Sequence, residues 1–179
     1  MNDVGRLQSA DDVDYNADIQ ILETEPGRYL RNWRLGFVTR GSFNYGGNHT
    51  NEEWNQNTTL TFRNFWSLNL NTRFDLSTLD DGLTRGGPLM QTAFSWGQEY
   101  RLNSASGART GWRASYNWGK DALGGWRSSF GGGVTLRPAP RWQLSLDPTF
   151  QVSTDARQYV TTVTDAAATP TFGARYLFA

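Results

Sequence analysis

Alternation of side-chain character is the feature that most restricts the fold of this chain. In the stretch SLNLNTRFDL, residues 67–76, the apolar side chains of Leu68, Leu70 and Phe74 alternate with polar neighbours. A period of two places successive side chains on opposite faces of a β-strand. The preceding stretch WNQNTTLTFRNFW, residues 54–66, has the same period. These residues predict two consecutive strands, each with one apolar and one polar face.

The same alternation covers almost the whole chain. No stretch shows the 3.6-residue period of an amphipathic helix. We therefore predict an all-β fold, an antiparallel up-and-down meander of about nine long strands. Charges in these strands are predicted on the polar faces, with Arg31, beside a turn, as the exception. The seven further strands are predicted at 13–21, 33–45, 90–102, 112–118, 126–136, 142–152 and 171–179.

Composition excludes several classes of protein. The 17 basic residues balance 17 acidic ones, whereas a nucleic-acid-binding protein needs a basic surplus to neutralise phosphates. There is no cysteine, which excludes disulfides, thiolate metal sites and cysteine nucleophiles. No window approaches the ~18 apolar residues of a membrane helix, and the first residues lack the basic and apolar regions of a signal peptide.

Three features favour a transmembrane barrel over a soluble sheet protein. Most of the predicted strands are long enough to cross a bilayer, for which a tilted strand needs ~9–11 residues. The polar faces are rich in Ser, Asn, Thr, Gln and Arg and contain almost no Lys, as suits a wet lumen. Aromatic side chains lie near the ends of the apolar faces, where barrels carry interfacial girdles. The predicted interface aromatics are Trp33, Tyr45, Trp54, Trp66, Trp126 and Trp142.

Four segments resemble a known family of outer-membrane proteins. They are NDVGRLQSADD at 2–12, TRGGPLM at 84–90, QYVTTVTD at 158–165 and TFGARYLFA at 171–179. In this order they resemble the C-terminal β-barrel region of the domain-of-unknown-function 5916 family. Its members carry a signal peptide and a carbohydrate-binding-like module before the barrel. The resemblance implies a bacterial outer-membrane location and a link to glycan-related solutes.

Residues 1–179 are expected to form a single barrel segment that is incomplete. The predicted strand count is odd, whereas bacterial single-chain barrels close with even numbers. An unclosed edge in lipid would also leave backbone groups unpaired. We therefore expect a fragment of a longer barrel, with the signal peptide, the N-terminal module and further strands outside this sequence.

The polar faces supply the candidate lumen wall. They hold nine arginines and only five acids by this alternation. Rings of arginine favour anionic solutes, whereas cross-strand pairs of arginine and carboxylate would simply neutralise one another; we favour the second interpretation. The residues predicted to line the lumen are Arg40, Arg73, Arg113, Glu99 and Asp147.

The segment LDDGLTRGGPLM, residues 79–90, is the candidate loop. Its Gly-Gly-Pro sequence predicts a tight turn into the following strand. It lacks the Lys and Ser/Thr that follow the glycines of a P-loop. A nest of backbone N–H groups that binds an anion is the alternative to a structural role. The residues predicted to anchor the loop are Asp80, Asp81, Arg85, Gly86 and Gly87.

The chain offers little for catalysis or metal binding. His49, near Glu52 and Glu53, is its only histidine, and we interpret it as a solvated loop residue. No Gly-x-Ser-x-Gly elbow of a serine hydrolase is present. No catalytic residue, metal or cofactor is predicted. Three acids lack the glycine and distal glutamate of a calcium loop, namely Asp11, Asp12 and Asp14.

Taken together, these observations predict a non-enzymatic, porin-like barrel of the channel or translocation type. It would lie in outer-membrane lipid and pass small polar or anionic solutes. One alternative is a structural or surface-interaction barrel with a plugged lumen, and another is a soluble β-sandwich that binds carbohydrate. Lumen conductance separates the first two, and detergent dependence separates both from the third. The sequence does not define a protein partner.

Overall fold

The structure is a computed structural model that describes residues 12–80, 89–105, 109–155, 158–171 and 173–178. These residues form β-strands and one short 3-10 helix, Thr169–Thr171. The strands are β1 Asp12–Glu23, β2 Leu30–Asn44, β3 His49–Phe62, β4 Ser67–Asp75, β5 Leu79–Asp80, β6 Met90–Gln91, β7 Ser95–Asn103, β8 Thr110–Asp121, β9 Trp126–Ala139, β10 Trp142–Leu146, β11 Thr149–Thr154, β12 Tyr159–Thr164 and β13 Ala174–Phe178.

Nine of the strands form one antiparallel sheet. Its order is β1-β2-β3-β4-β7-β8-β9, and both β10 and β11 pair with β9. The pairs β5–β6 and β12–β13 form two separate small sheets. The prediction of an all-β antiparallel meander of about nine strands is confirmed. Among the described residues no pairing joins β1 to β10 or β11, so the sheet has two edges.

Several predicted strand boundaries are wrong. The strand predicted over 142–152 is interrupted at Asp147 and Pro148, because proline has no N–H to donate to a strand ladder. The strand predicted over 90–102 is divided, since β6 pairs with β5 and β7 begins only at Ser95. The last predicted strand begins only at Ala174 and pairs with β12 rather than with the main sheet.

Up-and-down membrane barrels have short turns at one end of the strands and longer loops at the other, and the connections of the main sheet show this difference only in part. The connections of the main sheet at one end, between β2 and β3 and between β8 and β9, have four residues each, 45–48 and 122–125. Only the connection between β4 and β7, which contains β5 and β6, is long. We call this end of the sheet the loop end. The opposite end, with the connections β1–β2, β3–β4, β7–β8 and β9–β10, is the turn end.

The sheet has one apolar and one polar face because residues directly opposite on paired strands point the same way. Trp54 lies opposite Phe74, and Phe74 lies opposite Trp96. In the described residues no hydrophobic side chain is buried. The side chains of Ile19 and Phe150 are 68% and 69% exposed, respectively. The apolar face is therefore not covered by another layer of the described chain.

Successive strands are displaced along the sheet. One row of directly opposite residues runs through Ala17 of β1 and Trp126 of β9. β1 extends five residues past this row toward the loop end, but β9 begins at it. Toward the turn end, β9 continues thirteen residues to Ala139, whereas β1 continues six to Glu23. Such a stagger is the geometry of strands that tilt relative to a barrel axis.

Candidate functional site

A network of ion pairs centred on Arg73 lies on the polar face. Glu53 of β3 lies directly opposite Asp75 of β4, which places two like charges side by side. Arg73 Nη2 lies 2.9 Å from Glu53 Oε2 and 2.7 Å from Asp75 Oδ1, and Arg40 Nη1 lies 3.9 Å from Glu53 Oε1. Ser95 Oγ donates to Asp75 Oδ2 at 3.0 Å. The two guanidinium groups therefore offset the repulsion between the carboxylates.

A second ion pair on this face crosses three strands. Arg113 of β8 lies directly opposite Gly133 of β9. Its Nη2 reaches past the glycine to Asp147 Oδ1 at 2.8 Å, at the break between β10 and β11. A Cβ atom at Gly133 would clash with the Asp147 carboxylate and would lie 2.8 Å from Arg113 Cγ. The glycine is thus required by the pair that passes over it.

Neutral polar groups lie between the ion pairs on the polar face. Thr59 Oγ1 donates to Asn69 Oδ1 at 3.1 Å, and Asn117 Nδ2 donates to Ser129 Oγ at 3.3 Å. The remaining lumen candidate, Glu99, pairs with Arg101 two residues along the same strand. Most of these side chains are partly exposed, so they retain hydrogen-bonding capacity toward water or a solute.

Sequence reasoning missed one acid of the polar face, Glu53, which lies toward the loop end. Glu53 is predicted as part of a loop with His49 and Glu52, but it lies within β3. There it is directly opposite Arg40 of β2 and Asp75 of β4, which places it on the polar face. The surplus of arginine on this face is therefore smaller than predicted. Arg63, which is within the predicted strand 54–66, lies instead beyond β3 in a turn, where its Nε donates to Gly27 O at 2.8 Å.

The candidate loop is only partly described. Asp80 lies in β5, opposite Met90 of β6. The other predicted anchors, Asp81, Arg85, Gly86 and Gly87, lie outside the described residues. The described base of the loop is held by threonines: Thr78 N donates to Thr92 Oγ1 at 2.8 Å and Thr78 Oγ1 to Thr50 O at 3.2 Å.

The predicted interface aromatics lie near both ends of the apolar face. Trp54 and Trp126 lie toward the loop end, and Tyr45 is in the connection after β2. At the turn end, Trp66 packs edge-on against Trp112 with ring centroids 4.7 Å apart. Trp33 and Trp142 also lie near this end. Aromatic residues that the prediction omitted lie in the same two regions, namely Phe74, Trp96, Trp112 and Trp118.

A polar cluster on the apolar face overturns two sequence interpretations. Glu52 of β3 lies opposite Gly41 of β2 on the apolar face, whereas the alternation predicts charges on the polar face. Its carboxylate accepts hydrogen bonds from the hydroxyl of Tyr15, from Trp54 Nε1 at 2.6 Å and from Thr39 Oγ1 at 3.4 Å. A carboxylate with so many donors is satisfied where it lies and is not a free base.

His49 is part of this cluster and is not a solvated loop residue. It is the first residue of β3, and its Nε2 lies 2.8 Å from Glu52 Oε2. Its ring stacks on Phe43 of β2 with centroids 4.4 Å apart and an interplanar angle of 8°. A register shift between Ser42 and Phe43 brings the two rings opposite each other. This bulge could not be read from alternation.

Lys120 is a second charge on the apolar face. It lies directly opposite both Trp96 and Trp126, near the loop end. Lysine at such a position can lay its hydrocarbon stem on the aromatic rings while its ammonium group reaches water. Glu52 of β3 and Lys120 of β8 thus both lie on the apolar face close to the loop end.

No family model, curated protein or solved structure matches this chain. None of the helical segments in the described ranges is long and apolar enough to span a bilayer. In the described part of the chain, no group of three or more His, Asp or Glu side chains is placed to hold a metal ion.

Proposed function

We infer that this chain forms part of the wall of a transmembrane β-barrel, with its apolar face toward lipid and its polar face toward an aqueous lumen. The observation that carries this proposal is the uncovered apolar face. Its large side chains extend over the main sheet, and many are more than half exposed, including Phe130 at 59% and Leu146 at 72%. Exposed apolar surface of this extent marks contact with a partner or with lipid.

The distribution of side chains on that face supports lipid as the contact. Leu35 and Leu70 lie in one row across its middle, and tryptophans lie toward both ends. This order of an apolar band between two aromatic girdles is that of outer-membrane barrels. The charges of Glu52 and Lys120 lie with the aromatics at the loop end, where headgroups and water are within reach. The strand stagger supports the tilt of a barrel.

The wall chemistry supports passage of small polar solutes. Its charges are largely compensated, since Arg73 and Arg113 each contact a carboxylate. Between them, asparagine, serine and threonine offer donors and acceptors that match hydroxyl-rich solutes. This agrees with the glycan-related solutes implied by the resemblance to the domain-of-unknown-function 5916 family. Compensated charge gives a weaker preference for anions than unpaired arginine would.

The two edges of the main sheet need partners in this environment. An unpaired strand in hydrocarbon leaves backbone N–H and C=O groups unsatisfied at several kcal/mol each. We therefore propose that additional strands pair with β1 and with the β10–β11 edge to close the barrel. The location that follows is the bacterial outer membrane.

Single-cysteine labelling tests the proposal directly, because the chain contains no cysteine. Leu70 and Asn71 are neighbours in β4, in the middle of the sheet, and point to opposite faces. The variants Leu70→Cys and Asn71→Cys are reconstituted in vesicles and treated with a sulfonated, membrane-impermeant maleimide. We expect rapid labelling of the Asn71→Cys variant and protection of the Leu70→Cys variant until the vesicles are dissolved and the chain is denatured.

Other outcomes identify the alternatives. A monomeric chain that folds in buffer without lipid and reacts at both positions would contradict a membrane wall and support a soluble sheet protein. Protection at both positions, together with no conductance in planar bilayers, would support a barrel whose lumen is plugged.

A further inference from the structure

Two neighbouring connections at the turn end are tied into one unit. Residues 24–29 join β1 to β2, and residues 63–66 join β3 to β4. Arg63 N donates to Tyr29 O at 3.2 Å, and its Nε donates to Gly27 O at 2.8 Å. A single arginine of the second connection thus fixes the backbone of the first.

Two further arginines are seated on aromatic rings in this unit. The guanidinium carbon of Arg28 lies 5.1 Å from the centre of the Tyr29 ring, and that of Arg31 lies 4.7 Å from the centre of the Phe65 ring. Cation–π contacts hold guanidinium groups without neutralising them. Both rings are more than half exposed. The arginines are therefore held in place but remain open to solvent.

The position of Phe65 is conformationally costly. Its φ of 65° lies in the left-handed region, where a bulky residue is rare. Phe65 N donates to Phe62 O at 2.9 Å, which holds this turn closed. The strained backbone presents the ring to Arg31 at the start of β2.

We call Arg28, Arg31 and Arg63 the turn arginine cluster. Within the described chain none of the three forms an ion pair, unlike Arg73 and Arg113 of the wall. The acids nearest to the cluster in sequence are Glu23, at the end of β1, and Glu25, in the connection between β1 and β2. Glu23 Oε1 accepts a hydrogen bond from Glu25 N at 2.8 Å. The cluster thus presents positive charge without an internal counterion.

Charge is distributed unequally between the two ends of the described sheet. Arginine dominates the turn end, where Glu23 and Glu25 are the acids in the described ranges. The arginines there are Arg28, Arg31, Arg63, Arg109, Arg137 and Arg141. Acids outnumber bases at the loop end, where they include Asp12, Glu52, Glu53, Asp75, Asp80, Asp121 and Asp155. An anionic partner is therefore favoured at the turn end.

We propose that the turn arginine cluster binds the phosphate group of an anionic phospholipid in the leaflet that the turn end contacts. This rests on the proposed membrane function. Guanidinium groups bind phosphate oxygens through paired, charge-assisted hydrogen bonds. Tyr29 and Phe65 would lie at headgroup level, as interfacial aromatics do, while the acyl chains lie along the adjoining apolar face.

The test measures lipid selectivity in a chain already shown to be inserted. All variants carry Leu70→Cys, and protection of that cysteine from the impermeant maleimide reports insertion. Association of spin-labelled phosphatidylglycerol and phosphatidylcholine is compared in phosphatidylcholine vesicles by electron paramagnetic resonance. We expect phosphatidylglycerol to be preferred about fivefold or more at low salt, since one arginine near an anionic surface contributes about this much.

A matched pair of double variants separates the cluster from general charge. Arg28→Gln with Arg31→Gln removes two positive charges at the turn end, and Lys120→Gln with Arg127→Gln removes two at the loop end. The first pair is expected to remove most of the preference, and the second to preserve it. Arg63 is left unchanged because it holds the two connections together.

Each remaining outcome is decisive. An inserted chain with no lipid preference, or equal losses in the two double variants, would overturn the cluster proposal and leave the membrane function intact. Displacement of the labelled phosphatidylglycerol by millimolar inorganic phosphate would show a site for free phosphate rather than for lipid. Full labelling at position 70 would instead refute the membrane function itself.

Discussion

Two side chains in this sheet cross a glycine to reach the strand beyond, one on each face. On the apolar face, Tyr15 of β1 crosses Gly41 of β2 to Glu52 of β3. On the polar face, Arg113 of β8 crosses Gly133 of β9 to Asp147. In both, a long side chain lies over a position without a Cβ and binds a carboxylate. The geometry is the same, but the surroundings differ.

The two carboxylates are satisfied in different ways. Glu52, whose side chain is 10% exposed, is bound by four side chains of three strands. The side chains of Arg113 and Asp147 are 56% and 41% exposed, so both remain accessible to water. In the proposed membrane setting, a charge at the lipid border needs protein partners, whereas a charge that faces water does not. The cost of breaking each bridge should therefore differ between the faces.

The largest effect is expected from Gly41→Ala. The added Cβ would lie 2.6 Å from Cε1 of Tyr15, and a rigid ring cannot move aside without leaving Glu52. We expect a loss of about 2–3 kcal/mol in the free energy of unfolding, from overpacking plus a lost bond to a charged group. Urea unfolding in detergent micelles, followed by tryptophan fluorescence, measures this loss.

Gly36→Ala is the control for this variant. Gly36 is in the same strand, and a Cβ there would lie 3.7 Å from Gln20 Cγ, an ordinary contact. Its effect should stay within about 0.5 kcal/mol. Equal losses in the two variants would mean that strand β2 merely requires glycine and that the tyrosine bridge contributes nothing.

A smaller effect is expected from Tyr15→Phe, which keeps the ring but removes the hydroxyl. Glu52 then retains three side-chain partners, and we expect a loss of about 1–2 kcal/mol. Tyr100→Phe is the matched control, because its hydroxyl donates to the neutral Gln98 Oε1 on the same face. The same unfolding measurement applies. If Tyr100→Phe costs as much as Tyr15→Phe, the charge of Glu52 has no special role.

Gly133→Ala should cost less than Gly41→Ala, about 0.5–1 kcal/mol. The atoms that a Cβ would meet belong to Arg113 and Asp147, two flexible side chains that can separate and be solvated. Gly132→Ala is the control, since the nearest atom to its Cβ would be Arg113 O at 4.0 Å. A cost at Gly133 equal to that at Gly41 would contradict an aqueous setting for the polar face.

The faces of the sheet were predictable from sequence, but the contacts across it were not. Leu68 and Leu70 reveal their face because a period of two is a local property. Glu52 and Glu53 take opposite faces because β3 extends back past Trp54, and the local pattern does not show that extension. The pair of Arg113 and Asp147 depends on the pairing of three strands, which no local pattern contains.

The smallest effect on stability, and a distinct effect on function, is expected at the exposed ion pair. Asp147→Asn should change the free energy of unfolding by less than about 0.5 kcal/mol, because exposed pairs contribute little. In a conducting barrel, however, it would leave Arg113 uncompensated and increase the preference for anions. Arg113→Gln leaves Asp147 uncompensated and should shift the preference toward cations. Reversal potentials under a salt gradient in planar bilayers distinguish these shifts. Selectivity that does not respond to either variant would place this pair away from any conducting path and favour a plugged lumen.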